Sequence, residues 1–311
     1  MSALIALGEN ALLQGLSYGV AVLGVSIAFR VLRYPDLTPD GSFLLGAAMF
    51  AAAVTHGAHW SVALMLAVMA GACAGLCTGA LHFSAGVNRL LSGILTSMAC
   101  YSIAFRVLSG KSNIGLPADA SLPGGIGAIG GGRGVAEIIA CLVFAGGWLL
   151  LVVLFLRSEL GLVVRASGAN APFVAALGRR PDRYQLAGLA VSNSLVAASA
   201  ALVVSRQGFA DVNMGIGVIV TLVAAMVIGE EVVHRLRRDP ERGVTARAVS
   251  GIAGTVVYFL LYLVVLRASI LGWIPLRIQP TDLKIFSAVL IVVAIVARSA
   301  RAGRRGDALL F

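Results

Sequence analysis

The chain has 311 residues, 59% of them hydrophobic and only 12% charged, with a mean hydropathy of +0.94. That balance excludes a soluble globular domain and gives a polytopic helical membrane protein; the alternating pattern of an outer-membrane barrel is absent. The net charge of +10 gathers at the ends of apolar runs, where topology and anionic headgroups account for it better than nucleic acid does.

Asn10–Phe29 is the first predicted span, long enough for about 30 Å of hydrocarbon. Glu9 precedes it and Arg30 and Arg33 follow, which places the N-terminus outside. No basic region opens the chain, so no cleavable signal peptide is expected. The polar run Asp36-Leu37-Thr38-Pro39-Asp40-Gly41-Ser42 comes next. It precedes a short apolar segment, Phe43–Thr55, which as a helix covers only about 20 Å and must borrow the polar run to cross. His56–His59 marks a turn, and Trp60 suits an interface. Ser61–Leu81 returns inward, His82 to Arg89 is a brief cytoplasmic turn, and Leu90–Leu108 goes out. Cys73, Cys77, Cys100 and Cys141 fall inside apolar runs. Cys73 and Cys77 share a helix face without a His or acid, so buried small hydrophobes are expected rather than a metal site. Ser109–Gly134 is too rich in Gly and Pro to face lipid as a span. It is placed outside, as a loop or with a short re-entrant piece.

Val135–Leu156 goes in. The loop Arg157–Gln185 carries Arg157, Arg165, Arg179, Arg180 and Arg183 against Glu159 and Asp182, and is therefore cytoplasmic. Within it Asn170 can cap a small helix, Pro172 falls in the first turn, Gly178 stops it and Pro181 bars a restart. Phe173, Val174 and Leu177 form its apolar stripe. The element is a docking knob or a linker lying on the lipid surface. Tyr184–Ser205 goes out, and Arg206–Gly215 is a second polar break. Ile216–Gly229 is again short, about 21 Å as a helix. Glu230 to Arg247, with Arg235, Arg237, Arg238 and Arg242, is cytoplasmic. Ala248–Leu266 goes out, Arg267–Thr281 lies outside with Trp273 at the headgroups, and Leu283–Ala297 returns to a basic inner tail. Most of the 24 Lys and Arg residues then lie inside.

The expected fold is all-α: a single transmembrane domain over 1–311, with about nine transmembrane helices in an inverted repeat. The halves are about 10–108 and 184–298, each with one broken helix, around the inner loop 157–185. Broken helices in such repeats mark transport routes. Thr38, Asp40, Ser42, Asp211 and Asn213 supply polar groups at the breaks, either lining a route or capping the interrupted helices. Gln14, Tyr18, Ser97, Ser192, Asn193 and Ser194 lie within spans, as interhelical hydrogen-bonding groups. Arg206 and Asp211 are expected to pair near the outer face, and Glu137 to sit at the outer interface. No nucleophile with its base, metal cage or Gly-x-x-x-x-Gly-Lys-Ser/Thr loop occurs. No catalysis, metal or cofactor of the chain's own is expected.

Arg165-Ala166-Ser167-Gly168-Ala169-Asn170, followed by Ala176-Leu177-Gly178, resembles the cytoplasmic coupling loop of bacterial ABC-importer permeases of the branched-chain amino acid and ribose type. Asp36–Ser42 resembles the Asp-Leu-Ser-Val-Gly signature of the sugar branch. Gln207–Gly217, running on to Ala224–Glu230, resembles the family's second block. The likeness keeps its order over roughly residues 10–300. Pro39-Asp40 departs from the sugar form and is closer to the branch linked to aromatic or other amino acids. The resemblance implies a permease subunit in the bacterial inner membrane that passes an amino acid or related small polar solute. It further implies a homodimer, two separate ATPase subunits that bind ATP, and a periplasmic or lipoprotein binding protein. Gly168, Asn170, Pro172, Phe173, Leu177 and Gly178 would then couple to the ATPase. Ten-span members of the family carry one more helix at the front, so this chain is expected to begin at their second. The alternative is an ion-coupled secondary transporter, which needs intramembrane acids; Asp36, Asp40 and Asp211, all near span ends, are the candidates.

Overall fold

Apolar runs set the helices and short polar caps set their ends. The computed structural model describes residues 2–117, 133–236 and 244–270, with further helical positions at 285, 288, 289 and 292. Helix α1 (Ser2–Ser26) runs into a π-helical turn at Ile27–Val31. Helix α2 (Pro39–Thr55) starts at a proline, whose missing N–H is harmless in a first turn. Pro39–Ser42, the second part of the polar run, therefore form the first turn of the short segment, while Asp36–Thr38 stay outside the helix. Helix α3 (Trp60–Phe83) is capped by the His59 ring, and α4 (Arg89–Val107) by Asn88, whose Oδ1 accepts the Leu90 N–H at 3.0 Å. Helix α5 (Arg133–Arg157) leads into the inner loop, which holds α6 (Glu159–Ala169) and α7 (Ala171–Ala176). Helices α8 (Pro181–Gln207), α9 (Val218–Leu236) and α10 (Val244–Ile270) complete the described set.

Among the described residues six helical stretches are long and apolar enough to cross a membrane: Gly8–Val31, Trp60–Phe83, Arg89–Val107, Val135–Arg157, Pro181–Gln207 and Ala248–Ser269; Pro39–Thr55 is apolar but shorter. The molecule is thus an all-α polytopic membrane protein. Helices α8 and α1 are the most deeply buried of these stretches, and the others pack around them. Lipid offers helices no hydrophobic drive to associate, so close approach through small residues takes its place. A methyl group on Gly71 would strike the Asn193 carbonyl, and one on Gly75 the Leu189 carbonyl, so α3 lies directly on α8. Gly229 and Gly254 bring α9 onto α10 in the same way, against the Ser250 and Ala225 carbonyls.

Both ends of the bundle are marked by contacts. At one end Arg30 grips Glu230 through two N···O contacts of 2.7 Å, Tyr34 lies edge-on to His82, and the Arg89 guanidinium sits 5.5 Å from the Tyr34 ring centre. At the other end Trp60 donates to Ser205, and Leu116 N–H donates to the Gly208 carbonyl. There a small antiparallel ribbon, β1 (Asn113–Gly115) with β2 (Phe209–Asp211), ties the long outer loop to the second break.

Several expectations change. Helix α9 does not stop at Gly229 but runs through Glu230, which pairs with Arg30, to Leu236. Helix α6 is an addition to the inner loop. Cys73 and Cys77 are exposed on α3, and only Cys100 and Cys141 are buried. Most of the expected span Leu283–Ala297, with the basic tail, Trp273, Arg237, Arg238, Arg242 and most of the outer loop beyond Pro117, lies outside the described residues; the four positions described within that span are helical.

Candidate functional site

The first break is built on a carboxylate. Between α1 and α2 the chain leaves helical geometry, so its N–H groups need partners in a medium without water. Asp36 is fully buried and supplies them. Its Oδ1 accepts both the backbone N–H of Thr38, at 2.9 Å, and the Thr38 hydroxyl, an Asx-type turn closed within the chain. Its Oδ2 accepts from the Asn193 amide of α8 at 2.8 Å. The Asn193 carbonyl oxygen accepts from Ser42 of α2 at 2.8 Å, and Thr38 meets Thr78 of α3 hydroxyl to hydroxyl at 2.6 Å. Thr38 and Ser42 are thus both fully buried in a polar knot that joins α2, α3 and α8. Gly93 of α4 lies against the Leu37 backbone beside it.

The second break follows α8. Gly208 ends that helix with φ +80°, a left-handed cap that favours glycine. After β2, the Asp211 carboxylate accepts the Asn213 N–H at 2.7 Å and opens a 3-10 turn over Val212–Gly215. Arg206 does not pair with Asp211. It faces Glu137 of α5 at 3.5 Å and donates to the Ser17 hydroxyl at 3.5 Å. Asp211 is occupied in its own turn, and Arg206 leaves α8 on another side.

The two breaks meet at Asp40. Its carboxylate accepts the N–H of Gly217 at 3.0 Å and that of Ile219 at 2.7 Å, the orphan donors at the start of α9. One acid in the first turn of α2 thus also caps α9, at the positive end of both helix dipoles. Gly215 fits directly over the Asp40 carbonyl, where no side chain would.

Beside this junction lies a cleft of about 330 Å³. Its walls include Gln14 and Tyr18 of α1, Arg206 of α8, Asn213 of the break, Thr221 of α9, and Phe259 and Tyr262 of α10. Of the five break residues picked from the sequence, Asn213 lines this cleft. Asp40 and Asp211 hold backbone at its edge, and Thr38 and Ser42 sit in the knot. The sequence places Asp36 in the first break and Asn193 within a span, as an interhelical hydrogen-bonding group, without joining the two. It missed the aromatic wall of α10, whose residues carry no local signal beyond an apolar run. Among the described residues no group of three or more His, Cys, Asp or Glu could hold a metal ion.

The inner loop is a shaped surface. Ser158 caps α6 through the Gly161 N–H, and Asn170 caps α7 through the Phe173 N–H at 3.0 Å. Pro172 is in the first turn, and Gly178 reverses the chain at φ +73°. Gly168 is pressed on the Val31–Leu32 backbone, and Gln185 of α8 donates to the Ser167 carbonyl at 3.0 Å, so the knob is fixed to two membrane helices. Val174 is buried, while Phe173 and Leu177 are 57% and 64% exposed.

Residues 8–298 match the family described as branched-chain amino acid transport system, permease component. The chain is 34% identical over 280 residues to the tyrosine transport system permease protein of Clostridioides difficile (strain R20291), covering 90% of this chain and 87% of that one. It is 31% identical over 226 residues to an uncharacterized protein of Rickettsia prowazekii (strain Madrid E), covering 72% and 76%. Among solved structures it resembles PsaBC from Streptococcus pneumoniae in complex with Fab, with a TM-score of 0.51, 10% identity and coverage of 92% and 90%. At that identity the likeness is one of fold.

Proposed function

Because the chain belongs to the family of permease components of branched-chain amino acid transport systems, we propose that solute crosses beside the two helix breaks and that α7 docks the motor. The general activity follows from the family. The chain is the membrane subunit of an ABC importer, multi-pass in the bacterial inner membrane, passing an amino acid or related small polar solute. It is not itself an enzyme; a separate ATPase subunit hydrolyses ATP, and a substrate-binding protein delivers the solute.

The finer reading goes further. ATP is bound by the partner alone, and the permease works as a homodimer in contact with lipid. It has nine crossings in an inverted repeat with halves near 10–108 and 184–298, and one domain over 1–311. The six long stretches, with the shorter apolar α2 and with α9 at the second short segment, support this count; most of the ninth expected span falls beyond the described residues. The relative from Clostridioides difficile is named for tyrosine transport, which supports an amino acid rather than a sugar. Gly168, Asn170, Pro172 and Gly178 shape the coupling knob, and Phe173 and Leu177 are its contacts.

The observation that carries the route is the Asp40 junction. It joins the two interrupted helices where unpaired polar groups would cost several kcal/mol each in hydrocarbon, and it opens onto a cleft with polar walls. Asp40 and Asn213 flank the route, and Thr38, Ser42 and Asp211 keep the breaks in shape. The test is transport per folded molecule in proteoliposomes with the ATPase subunit. Asn213→Ala and Asp40→Asn should change rate or selectivity while the detergent melting temperature of Asn213→Ala stays near wild type. If folded protein is lost and transport per folded molecule is unchanged, these residues serve only as caps.

A further inference from the structure

The inner loop holds a cation that neither the helix breaks nor the coupling knob uses. Arg165 of α6 lies between Gly161, one turn before it, and Gly168, one turn after it. Gly161 is pressed on the Phe155–Leu156 backbone at the inner end of α5, and Gly168 on the Val31–Leu32 backbone at the inner end of α1. Residues three and four apart share a side of a helix, so Arg165 sits at the seam between those two ends. Its Nε is buried without a hydrogen-bond partner, and among the described residues no carboxylate pairs with it. Glu159, the acid on the same helix, is six residues back and about 120° round it. A shielded guanidinium nitrogen with neither acceptor nor counter-charge is costly. The side chain as a whole is only partly buried, so an anion can reach the outer edge of its fork. Arg33, directly after Leu32, is exposed and adds a second positive charge at the seam.

The surroundings decide which anion fits. Leu162, one turn before Arg165 on its open side, is 57% exposed, and Ala169, one turn after it, is exposed as well. The seam lies where α1 and α5, both long enough to span the bilayer, reach the cytoplasmic surface, at the depth of the lipid headgroups. A cation beside an exposed leucine at that depth matches a molecule that carries both a phosphate and an acyl chain. The planar fork of arginine fits phosphate oxygens. We propose that the seam between the inner ends of α1 and α5, closed by α6, is a site for an anionic phospholipid, its phosphate held by Arg165 and an acyl chain lying along Leu162. The lipid thereby tethers α6, and the coupling knob that follows it, to the membrane surface.

The test is native mass spectrometry of the full chain, released from detergent micelles that hold equal amounts of dioleoylphosphatidylglycerol and dioleoylphosphatidylcholine. The wild type should retain one phosphatidylglycerol per chain, preferred over phosphatidylcholine by about fivefold. Arg165→Gln should bring the two lipids to parity. Arg183→Gln removes the same charge from an exposed position of the same loop and should leave the preference unchanged. Arg165→Lys keeps a cation and serves if Arg165→Gln does not fold; without the fork the preference should fall about twofold. Inorganic phosphate at about 10 mM should not displace the lipid. No preference in the wild type, or an equal loss in Arg183→Gln, overturns the proposal. Displacement by inorganic phosphate overturns it too, because the ligand is then a soluble anion. So does a preference that survives both Arg165 variants; loss of the ATPase subunit from those variants would then show that Arg165 meets an acid of that partner instead.

Discussion

At the scale of single residues, Asp36 is the hinge of the first break. Two oxygens serve Thr38 and Asn193, and Asn193 passes the connection on to Ser42. Replacing the carboxylate by Ala leaves buried donors from two elements without an acceptor, a penalty of about 1–3 kcal/mol for each group. Asp36→Ala should therefore lower stability by about 2–4 kcal/mol, read as a drop in melting temperature in detergent. Thr78→Val removes one hydroxyl contact and should cost only about 0.5–1.5 kcal/mol, in line with interhelical hydrogen bonds in membranes. Equal melting temperatures for the two variants would mean that the knot is not what fixes α2 on α8. Arg206 teaches the complementary lesson. Five residues of separation suggested Asp211 as its partner, but an Asx-type turn had already claimed that carboxylate, and Glu137 was in reach from another helix.

At the scale of elements, the inner loop separates what is local from what is not. Asn170, Pro172 and Gly178 act through their own neighbours, so α7 could be read from its caps, and the structure gives it those caps. Helix α6 could not be read the same way. Its sequence mixes Glu159, Arg165 and exposed Leu160 and Leu162 with a buried face of Gly161, Val164 and Ser167. That face makes sense only against the ends of α1, α5 and α8 together, and α1 lies far away in sequence. The β1–β2 ribbon was hidden for the same reason: two strands of three residues each, about a hundred residues apart, have no shared local signal. The breaks at 36–42 and 206–215 were legible because short apolar segments cannot cross alone, whereas their meeting at Asp40 was not. For α7, Phe173→Asp or Leu177→Asp should put a desolvated charge into an apolar contact, costing a few kcal/mol of association. The ATPase subunit should then fail to co-purify while the permease still inserts and folds, since both side chains are exposed in the free chain. Co-purification and uptake at wild-type level would remove α7 from the docking role.

At the scale of the whole molecule, orientation follows from which residues the fold collects at each end. Arg30, Tyr34, Arg89, Glu230 and Gly168 of α6 gather at one end, and the Arg-rich inner loop is fastened there. Trp60, Ser205, Gly208 and Leu116 define the other end, where Glu137 faces Arg206. The first end carries the larger share of arginines on short connections, which is the end retained in the cytoplasm. Helix α1 ends there, so Ala3 lies on the opposite, outer side. The nine crossings proposed above would return the C-terminal tail, with Arg298, Arg301, Arg304 and Arg305, to the inside. In a background with the four native cysteines changed to Ala, a membrane-impermeant thiol reagent should label Ala3→Cys on intact spheroplasts. It should label Gly303→Cys only after permeabilisation. An even number of crossings would put both positions on one side, so labelling of both before permeabilisation, or of neither, removes the ninth helix from the fold and with it the inverted pairing of the two halves.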